Sequence, residues 1–453
     1  MIKRFIDRLS NSGTQTKRQE IPRNKHTVRV EDISPFALEV VDELRDAGYE
    51  AYIVGGCVRD AILGMKPKDF DVATNATPEQ VRRLYRRARI IGRRFQIVHV
   101  QSRQEVIEVT TFRGHHDSGS QGQNKRRRGE PAAKKSGKGM LTRDNVFGSM
   151  EDDAVRRDFT CNALYFDTDS EAVIDFVGGF EDLKNGLLRT IGDPEKRFQE
   201  DPVRMMRALR FQAKLGLKLD KNSQHQLSKK SQLIQEVSAA RLFDEVIKLL
   251  LHPKAATAFR LFVESGLFAL LFPASAKEAS ENKQLSQLLD VGAQNTGERL
   301  SAGKGVSPFY LYATLLWPAL ITRFEQLLTK KEHPSRAMEL ASSAVLADQS
   351  QHVSIPKRFA LAIRDTWYLQ TQLDKRQGNR ADRLLEHPKF RAAYDFILMR
   401  EASGENLNGL GDWWTEYQSA NIERREAMRN SLPPAGNKRR RRRRRGRTNK
   451  SAN

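Results

Sequence analysis

The sequence predicts an α+β head, built from a mixed sheet with helices, followed by an all-α neck, body and tail. Between Ser34 and Phe180, segments with a strand pattern alternate with short amphipathic segments, which is typical of one sheet covered by helices. Beyond Phe180 the strand patterns largely vanish and helical periodicity takes over. A chain of 453 residues also exceeds a single hydrophobic core, so two or three domains are expected.

Composition along the chain predicts where these parts begin and end. Two stretches are rich in glycine, serine, lysine and arginine and have almost no apolar residues, which is typical of mobile segments. The predicted segments are a basic flexible arm (1–33), the head (34–180) with a mobile basic loop (115–145), a helical neck (181–255), a helical body (256–430) and a disordered arginine-rich tail (431–453).

Local signals predict the elements of the head in order. Ser34 followed by Pro35 predicts a capped first helix, which Gly48 ends. The next segment, "YEAYIVGG", predicts a buried strand that runs into a glycine turn. After it come a short helix "VRDAILG", a strand "DFDVAT", a capped helix "TPEQVRRLYRRA" and the strands "FQIVHVQ", "EVIEVTTF" and "AVIDFVGG".

Apolar residues at helical spacing predict the helices of the second part. In "SAARLFDEVIKLLL", one stripe is formed by Leu242, Val246, Leu249 and Leu250. Further on, Trp413 and Trp414 in "DWWTEY" suit either the core of a helical domain or the stacking of RNA bases, and the core is the commoner use of paired tryptophans.

Charge and cysteine content restrict the class of protein. A formal charge of +22 attracts polyanions, of which nucleic acid is the commonest in a cell. No apolar run approaches the roughly 20 residues that cross a bilayer, so no membrane span is expected. The only two cysteines, Cys57 and Cys161, cannot form a metal framework and fit a reducing cytoplasm.

Two aspartates in "KDFDVAT" are the first candidates for chemistry. Side chains at positions i and i+2 of a strand share a face, so Asp69 and Asp71 are expected to project together while Phe70 points into the core. Two adjacent carboxylates repel unless they share a proton or a cation. Because basic residues and glycines lie nearby, the pattern favours a divalent metal such as Mg²⁺, which combines one or two carboxylates with phosphate oxygens.

The preceding glycine turn fits a phosphate ligand. Gly55 and Gly56 have no Cβ, so their backbone can approach a phosphate chain, and Arg59 can add positive charge. A Gly-Gly turn or an Asp-x-Asp pair alone is common. Their combination at this spacing predicts a polyphosphate site beside a metal site.

At this point "GGCVRDAILG" followed by "KDFDVAT" resembles the opening motif of the nucleotidyltransferase superfamily headed by DNA polymerase β, in its bacterial branch of CCA-adding enzymes and poly(A) polymerases. The resemblance extends from about Ile33 to Tyr417. It implies that the α+β head is a nucleotidyltransferase catalytic domain, that the neck reads the nucleobase and that the helical body binds RNA.

Two later segments match further motifs of this branch. "RRDFTCNALYFD" resembles its second motif, which implies that Arg157 and Asp158 face the ribose and phosphates. "QEDPVRMMRALRF" resembles its base-reading helix, where Asp201 and Arg204 are expected to be neighbours three residues apart. An acceptor beside a donor suits adenine and cytosine and rejects guanine and uracil, whose pattern is reversed.

The superfamily also requires a third carboxylate near the Asp69 and Asp71 pair. Glu108 on the strand "VIEVTTF" and Asp158 of the second motif are both candidates. Glu108 could instead be a solvent-facing strand residue, and Asp158 could be a structural carboxylate paired with arginine. The sequence leaves the choice between them open.

The segment "RIIGRRFQIVHV" separates the two activities of the branch. It resembles the poly(A) polymerase hallmark, in which Gly-Arg-Arg-Phe precedes an alternating strand. The resemblance therefore implies template-independent addition of AMP from ATP to RNA 3′ ends. A tRNA CCA nucleotidyltransferase and a non-catalytic RNA-binding protein are the alternatives.

The implied cofactors and partners follow from this activity. Two Mg²⁺ ions, with Mn²⁺ as an alternative, are expected on Asp69 and Asp71, and ATP is the expected substrate. RNA 3′ ends are the main partner, RNA-decay proteins are candidate partners, and a monomer is expected. The predicted RNA-binding residues come from the Gly-Arg-Arg-Phe segment, the basic loop and the tail: Arg93, Arg94, Arg127, Lys134, Arg441 and Arg443.

Overall fold

The computed structural model describes residues 18–92, 96–114, 134–135, 141–143 and 146–432, with side chains of 134–143 left undescribed. These residues divide into two compact units, one ending at Leu271 and the other beginning at Phe272. The first unit contains the sheet and the second is helical, which confirms the predicted fold class.

The strands all lie in the first unit. They are β1 (Gln19–Ile21), β2 (Ala51–Val54), β3 (Asp71–Thr74), β4 (Ala88–Ile91), β5 (Ile97–Gln101), β6 (Val106–Thr111), β7 (Lys134–Lys135), β8 (Leu141–Arg143), β9 (Leu164–Asp167), β10 (Ala172–Asp175), β11 (Leu187–Leu188) and β12 (Lys218–Leu219).

Eight of these strands form one mixed sheet in the order β1-β10-β9-β2-β3-β6-β5-β4. Only β3 and β6 pair in parallel, while the other neighbours in this sheet are antiparallel. The parallel pair sets Asp71 opposite Glu108, and the antiparallel pairing of β2 with β3 sets Val54 opposite Asp71. The centre of the sheet therefore aligns the glycine turn with two carboxylates.

The helices of the first unit surround this sheet or follow it. They are α1 (Pro35–Asp46), α2 (Gly56–Ile62), α3 (Pro78–Leu84), α4 (Met150–Arg156), α5 (Gly179–Lys184), α6 (Pro194–Glu200), α7 (Val203–Leu215), α8 (Lys221–Lys230), α9 (Ala239–Leu250), α10 (Ala255–Glu264) and α11 (Leu267–Leu271). Short 3₁₀ turns span Arg23–Lys25, Val30–Asp32, Thr160–Asn162 and Ser231–Glu236.

Side-chain caps explain where two of these helices begin. The Ser34 side chain accepts a hydrogen bond from the Ala37 N–H, and Pro35 occupies the first helical position of α1. Thr77 and Gln80 form a reciprocal capping box at the start of α3. These are the start signals that the sequence contains.

The second unit is built from helices alone in its described part. They are α12 (Pro273–Glu281), α13 (Lys283–Ser301), α14 (Pro308–Leu315), α15 (Trp317–Thr329), α16 (Pro334–Gln349), α17 (Lys357–Gln370), α18 (Arg380–Leu385), α19 (Phe390–Ala402), α20 (Leu410–Ser419) and α21 (Ile422–Asn430). Across all described residues, no helix combines the length and the apolar character that a bilayer crossing requires.

The paired tryptophans belong to the core of this second unit. Trp414 is fully buried, and its indole N–H donates to the Leu373 carbonyl at 3.0 Å. Trp413 is partly buried and stacks on Tyr417, with ring centroids 4.6 Å apart. Both indoles thus pack inside the helical unit, as the commoner use of such a pair predicts.

Part of the predicted flexible arm belongs to the sheet. Residues 19–21 form β1, which pairs with β10 and buries Ile21. The first compact unit runs to Leu271, and in it Phe259 and Phe262 of α10 pack on Phe268 of α11. The finer division into head, neck, body and tail stays a prediction.

Some strands were predicted at the wrong length or missed. Asp69 and Phe70 precede β3 instead of lying in it. No separate strand pattern predicted β4, which lies in an arginine-rich segment, or β9, which lies in the second motif. Of the predicted loop 115–145, the described residues include β7 and β8, which pair antiparallel.

Gly179, at the start of α5, provides a test of the packing behind the second motif. A Cβ at this position would lie 2.1 Å from the Thr160 carbonyl oxygen, which belongs to the 3₁₀ turn Thr160–Asn162. We expect Gly179→Ala to lower the free energy of unfolding by about 3 kcal/mol because backbone must move. Chemical denaturation measures the loss. Gly186→Ala, where a Cβ meets nothing within 4 Å but φ is +66°, should cost only about 1 kcal/mol.

An equal effect of the two substitutions would contradict the close approach at Gly179.

Candidate active site

The glycine turn, formed by Gly55 and Gly56, follows β2 directly. The backbone conformation at position 55 requires glycine. Gly55 has φ of +81°, and its N–H donates to the Leu164 carbonyl of β9 at 3.0 Å. A Cβ here would also lie 3.2 Å from Nη1 of Arg157. Side chains other than hydrogen are therefore strained at position 55, and Gly56 follows as the first residue of α2.

Three carboxylates lie near this turn. Asp71 begins β3 opposite Glu108 of β6, and the exposed Asp69 lies two residues earlier, before the buried Phe70. Burial, followed by the charges of Glu108 and Asp69, raises the pKa of Asp71 to about 6 against the opposing charge of Arg157. The like charges therefore destabilise one another until a cation or proton joins them.

These residues fit a metal that needs few protein ligands. Among the described residues, no three His, Cys, Asp or Glu side chains converge on one point as a closed metal site would require. Mg²⁺ commonly uses one or two carboxylates and completes its shell with phosphate oxygens and water. Asp71, with Asp69 or Glu108 as a second carboxylate, could supply the one or two protein ligands of such an ion, and the register that sets Asp71 opposite Glu108 favours it.

His99 is a neighbour of this group that sequence reasoning missed. Its Nε2 lies 3.3 Å from Oε1 of Glu108, directly across the pairing of β5 with β6. The alternation in "FQIVHVQ" could have placed it on the same face as Glu108, but the pairing register was not available from sequence.

Asp158 differs from these carboxylates because its oxygens are already engaged. Its side chain is 12% exposed and accepts hydrogen bonds from Nε of Arg207 at 2.6 Å, from Nδ2 of Asn162 at 3.0 Å and from the Phe159 N–H at 2.9 Å. Burial alone would raise its pKa, but Arg207 and Asn162 outweigh burial and hold the pKa well below the usual range of a carboxyl.

Arg59 is tied to protein groups. It is 3% exposed, and it donates to Oδ1 of Asp60 from Nε at 2.8 Å and to Oδ1 of Asn162 from Nη1 at 2.5 Å. Its guanidinium also lies over the Phe211 ring, 5.2 Å from the centroid.

Arg157 is anchored by Asp153. Its Nη2 donates to Oδ2 of Asp153 at 3.0 Å, and the Tyr165 hydroxyl donates to the same oxygen at 2.7 Å. Burial lowers the pKa of Arg157, but Asp153 and Tyr165 more than compensate and raise it, so this guanidinium stays charged.

Asp201 and Arg204 are close in sequence but do not share a helix. Helix α6 ends at Glu200, and Asp201 is extended, with φ of −151° and ψ of 93°. Pro202 explains the break, because proline disfavours the helical conformation of the residue before it. The expectation of one continuous base-reading helix is therefore wrong, although both residues lie at the same cavity.

Each member of this pair has a partner that the sequence did not predict. Arg241 of α9 forms a two-pronged ion pair with Asp201, with both N···O distances at 2.9 Å. Arg204 donates from Nη1 to the Arg197 carbonyl at 2.8 Å and to Oε2 of Glu200 at 3.2 Å.

One cavity of about 530 Å³ collects most of the predicted site. Its lining includes seven predicted residues: Gly56, Arg59, Asp71, Arg157, Asp158, Asp201 and Arg204. Gly55, Asp69 and Glu108 adjoin lining residues in the chain or sheet. Further arginines complete the wall: Arg113, Arg156, Arg197, Arg207 and Arg241. This volume and the excess of arginine over carboxylate suit a polyanionic ligand of nucleotide size.

Sequence reasoning missed Arg207 and Arg241, among other arginines of the site, and of these two only Arg207 could have been predicted from helical spacing. Arg207 lies three residues after Arg204 on α7, so helical spacing could have added it to the site. Arg241 lies on another helix, and only the folded chain brings it to Asp201.

The predicted RNA-binding residues are outside this description. Arg93, Arg94, Arg127, Arg441 and Arg443 lie outside the described residues, and for Lys134 only the backbone of β7 is described. Their role in RNA binding stays a prediction.

Comparisons with known proteins identify the family and the fold of the chain. The models of three families match the chain: "Poly A polymerase head domain" at residues 51–189, "Probable RNA and SrmB-binding site of polymerase A" at 216–278 and "Polymerase A arginine-rich C-terminus" at 330–448. The CCA-adding enzyme of Thermotoga maritima complexed with tRNA has a similar fold, with a TM-score of 0.57 at 17% identity, covering 88% of this chain and 86% of that one.

Curated relatives decide between the two activities of the branch. The CC-adding tRNA nucleotidyltransferase of Halalkalibacterium halodurans is 37% identical, but the alignment covers only 53% of this chain and 55% of that protein. Poly(A) polymerase I of Escherichia coli O157:H7 is 43% identical over 91% of this chain and 88% of its own, and that of Haemophilus influenzae is 42% identical over 92% and 93%. The chain therefore belongs to the bacterial poly(A) polymerase I family.

Proposed function

We propose that this chain is a polynucleotide adenylyltransferase that adds AMP from ATP to RNA 3′ ends without a template. The observation that carries the proposal is the arginine-lined cavity, which has Asp71 and the glycine turn at one side and the Asp201 and Arg204 pair in its wall. In the reaction, the 3′-hydroxyl oxygen bonds to the α-phosphorus, the bond to the β-phosphate oxygen breaks, and pyrophosphate leaves while the hydroxyl proton is released.

The carboxylates near the turn are proposed to hold two Mg²⁺ ions, with Mn²⁺ as an alternative. When bound, such ions lower the pKa of a hydroxyl nucleophile and neutralise charge on the triphosphate. The protein contributes Asp69 and Asp71 from one segment, and their mutual repulsion at the edge of the cavity supports this role. Because Gly55 and Gly56 have no Cβ, guanidinium nitrogens of Arg157 and Arg59 lie 3.2 and 3.6 Å from the positions where a Cβ would be, which supports a phosphate site beside the turn.

We propose Glu108 as the third carboxylate. It lies opposite Asp71 in the parallel register and is 47% exposed, with no cationic arginine or lysine paired to it among the described residues. The oxygens of Asp158 are occupied by Arg207 and Asn162, so a metal would compete with a partly buried arginine for them. We propose instead that Asp158 orients Asn162 and Arg207 at the cavity, where the ribose and phosphates would lie.

Adenine selection is proposed for Asp201 and Arg204. Adenine presents an amino donor beside a ring-nitrogen acceptor, and this pair offers an acceptor and a donor. Arg241 holds the Asp201 carboxylate in one orientation through two hydrogen bonds, and Glu200 and the Arg197 carbonyl hold Arg204. A rigid reader selects better because the wrong base leaves its polar groups unpaired.

The surroundings of the enzyme are also proposed. Both cysteines, Cys57 and Cys161, are free and buried, which supports a reducing cytoplasm. RNA-decay proteins as partners and a monomeric state stay predictions.

One incubation tests the function. Purified protein, Mg²⁺ and a generic RNA primer receive ATP or CTP separately. Long tails with ATP alone are expected. One or two nucleotides added only to tRNA lacking its end would support CCA addition instead, and no incorporation would support an RNA-binding protein without catalysis.

Asp71→Asn should abolish tailing while leaving RNA binding nearly unchanged. The substitution keeps the shape and removes the charge that a cation requires, so we expect AMP incorporation to fall roughly 10³-fold. Gel-based extension and RNA affinity measure the two effects. The control Asp42→Asn, at an exposed position of α1, should retain activity. Full turnover by Asp71→Asn would contradict the metal assignment.

Glu108→Gln should impair catalysis, whereas Asp158→Asn should impair stability. Glu108→Gln should lower kcat with little change in stability, because Glu108 is half-exposed. Asp158→Asn should destabilise the fold by about 3 kcal/mol, because Arg207 loses its buried partner. Thermal unfolding and single-turnover kinetics, measured on both variants, separate these losses. Unchanged kcat in a folded Glu108→Gln variant would exclude Glu108 as the third carboxylate.

Arg241→Ala should weaken nucleotide discrimination more than it weakens chemistry. Without the two-pronged pair the Asp201 carboxylate can rotate, so the ratio of kcat/KM for ATP to that for GTP should fall about tenfold or more. Competition between ATP and GTP on one primer measures this ratio. The exposed Arg260→Ala on α10 serves as the matched control, and an unchanged ratio for Arg241→Ala would refute the positioning role.

A further inference from the structure

The helical second unit contains a second cavity of about 550 Å³ that the proposed reaction does not use. Its wall comes from three places: the last turns of α13, the loop that leads into α14, and the start of α19. This volume is in the range of pockets that bind drug-sized molecules or single nucleotides.

The charges of this cavity are unbalanced in a specific way. Its lining has four cations, Arg299, Lys304, Lys389 and Arg391, against two carboxylates, Glu298 and Asp395. Asp395 pairs with Arg391 at 3.0 Å, whereas Arg299, Lys304 and Lys389 form no ion pair among the residues that the structure describes. The wall therefore carries a net positive charge.

An aromatic surface adjoins these cations. Phe309 and Tyr310 begin α14 and line the cavity, and Nζ of Lys389 lies 4.6 Å from the centroid of the Phe309 ring. The hydroxyl of Tyr310 makes no hydrogen bond within the described part of the chain. Burial, followed by the charge of Asp395, raises its pKa, so the phenol stays protonated and can donate to a ligand.

Cations beside aromatic rings are the combination by which proteins bind single-stranded nucleic acid, since the cations contact phosphates and the rings stack on bases. An apolar metabolite would leave the three cations unneutralised, and a bare phosphate would leave the rings unused. We propose that this cavity binds one nucleotide of the RNA strand, with Lys304 and Lys389 on its phosphate and the aromatic wall against its base. The inference rests on the proposed function only in taking RNA as the substrate.

The experiment measures RNA affinity without turnover. Fluorescein-labelled oligo(A) of 20 nucleotides is titrated with full-length protein, in the absence of ATP and divalent metal, at several salt concentrations. We expect Lys304→Ala/Lys389→Ala to raise Kd about tenfold and to reduce the slope of log K against log salt by about 2. The control Lys283→Ala/Lys330→Ala removes the same charge at exposed positions outside the cavity lining and should change Kd less than about twofold.

A neutral substitution tests the Tyr310 hydroxyl as a donor to the ligand, independently of charge. Tyr310→Phe removes only the hydroxyl and should raise Kd severalfold with the same salt slope, whereas Tyr368→Phe, at a side chain that is 44% exposed and outside this lining, should not. Equal Kd values for the cavity and control variants would overturn the proposal. Such a result would also be expected if an acidic protein segment occupies the cavity.

Failure here is distinguishable from failure of the proposed function. Because the assay contains neither ATP nor metal, it reports RNA binding even if the wild-type chain transfers no AMP. Conversely, tailing by the wild type with unchanged affinity in the cavity variants would leave the catalytic proposal intact and reject this site.

Discussion

The ion pair between Asp158 and Arg207 is the interaction on which the site depends. It joins the turn after α4 to α7, and it also fixes Asn162, which accepts a hydrogen bond from Arg59 beside the glycine turn. Breaking a buried pair leaves an uncompensated charge, so the segments are constrained to meet in one arrangement. The nucleobase-reading residues on one side of the cavity are thereby held relative to the phosphate turn on the other.

In contrast to this ion pair, Asp71 and Glu108 on the central strands of the sheet have no arginine or lysine partner among the described residues. Asp71 faces Glu108 across β3 and β6 and lies near Asp69, and burial together with these charges raises its pKa to about 6. The same cavity thus contains one aspartate whose pKa is depressed by arginine and one whose pKa is raised by its neighbours. Environments that push like groups apart in this way are typical of functional sites, because the first group is structural and the second is available to a cation.

Short stretches of the sequence predicted much of this structure. The capped starts of α1 and α3, the glycine turn after β2, and the buried stripe of Leu242, Val246, Leu249 and Leu250 depend on neighbours within one or two turns, and all of them are found in the structure. The motifs around Asp71, Asp158 and Arg204 also lie in short segments, and the relatives of the chain confirm the family that these motifs indicated.

By itself, the sequence determined the fold class, the family and the residue types of the site, because these depend on local periodicity and on short motifs. The tertiary structure alone decided which charges meet. Arg241 pairs with Asp201 from 40 residues away, Arg207 pairs with Asp158 from 49, and Glu108 adjoins Asp71 only through the parallel register of β3 and β6. The structure also ends some helices at residues that the sequence did not predict. At Asp201, for example, Pro202 breaks the helix. Partnerships of this kind depend on long-range packing, which no pattern within a single segment encodes.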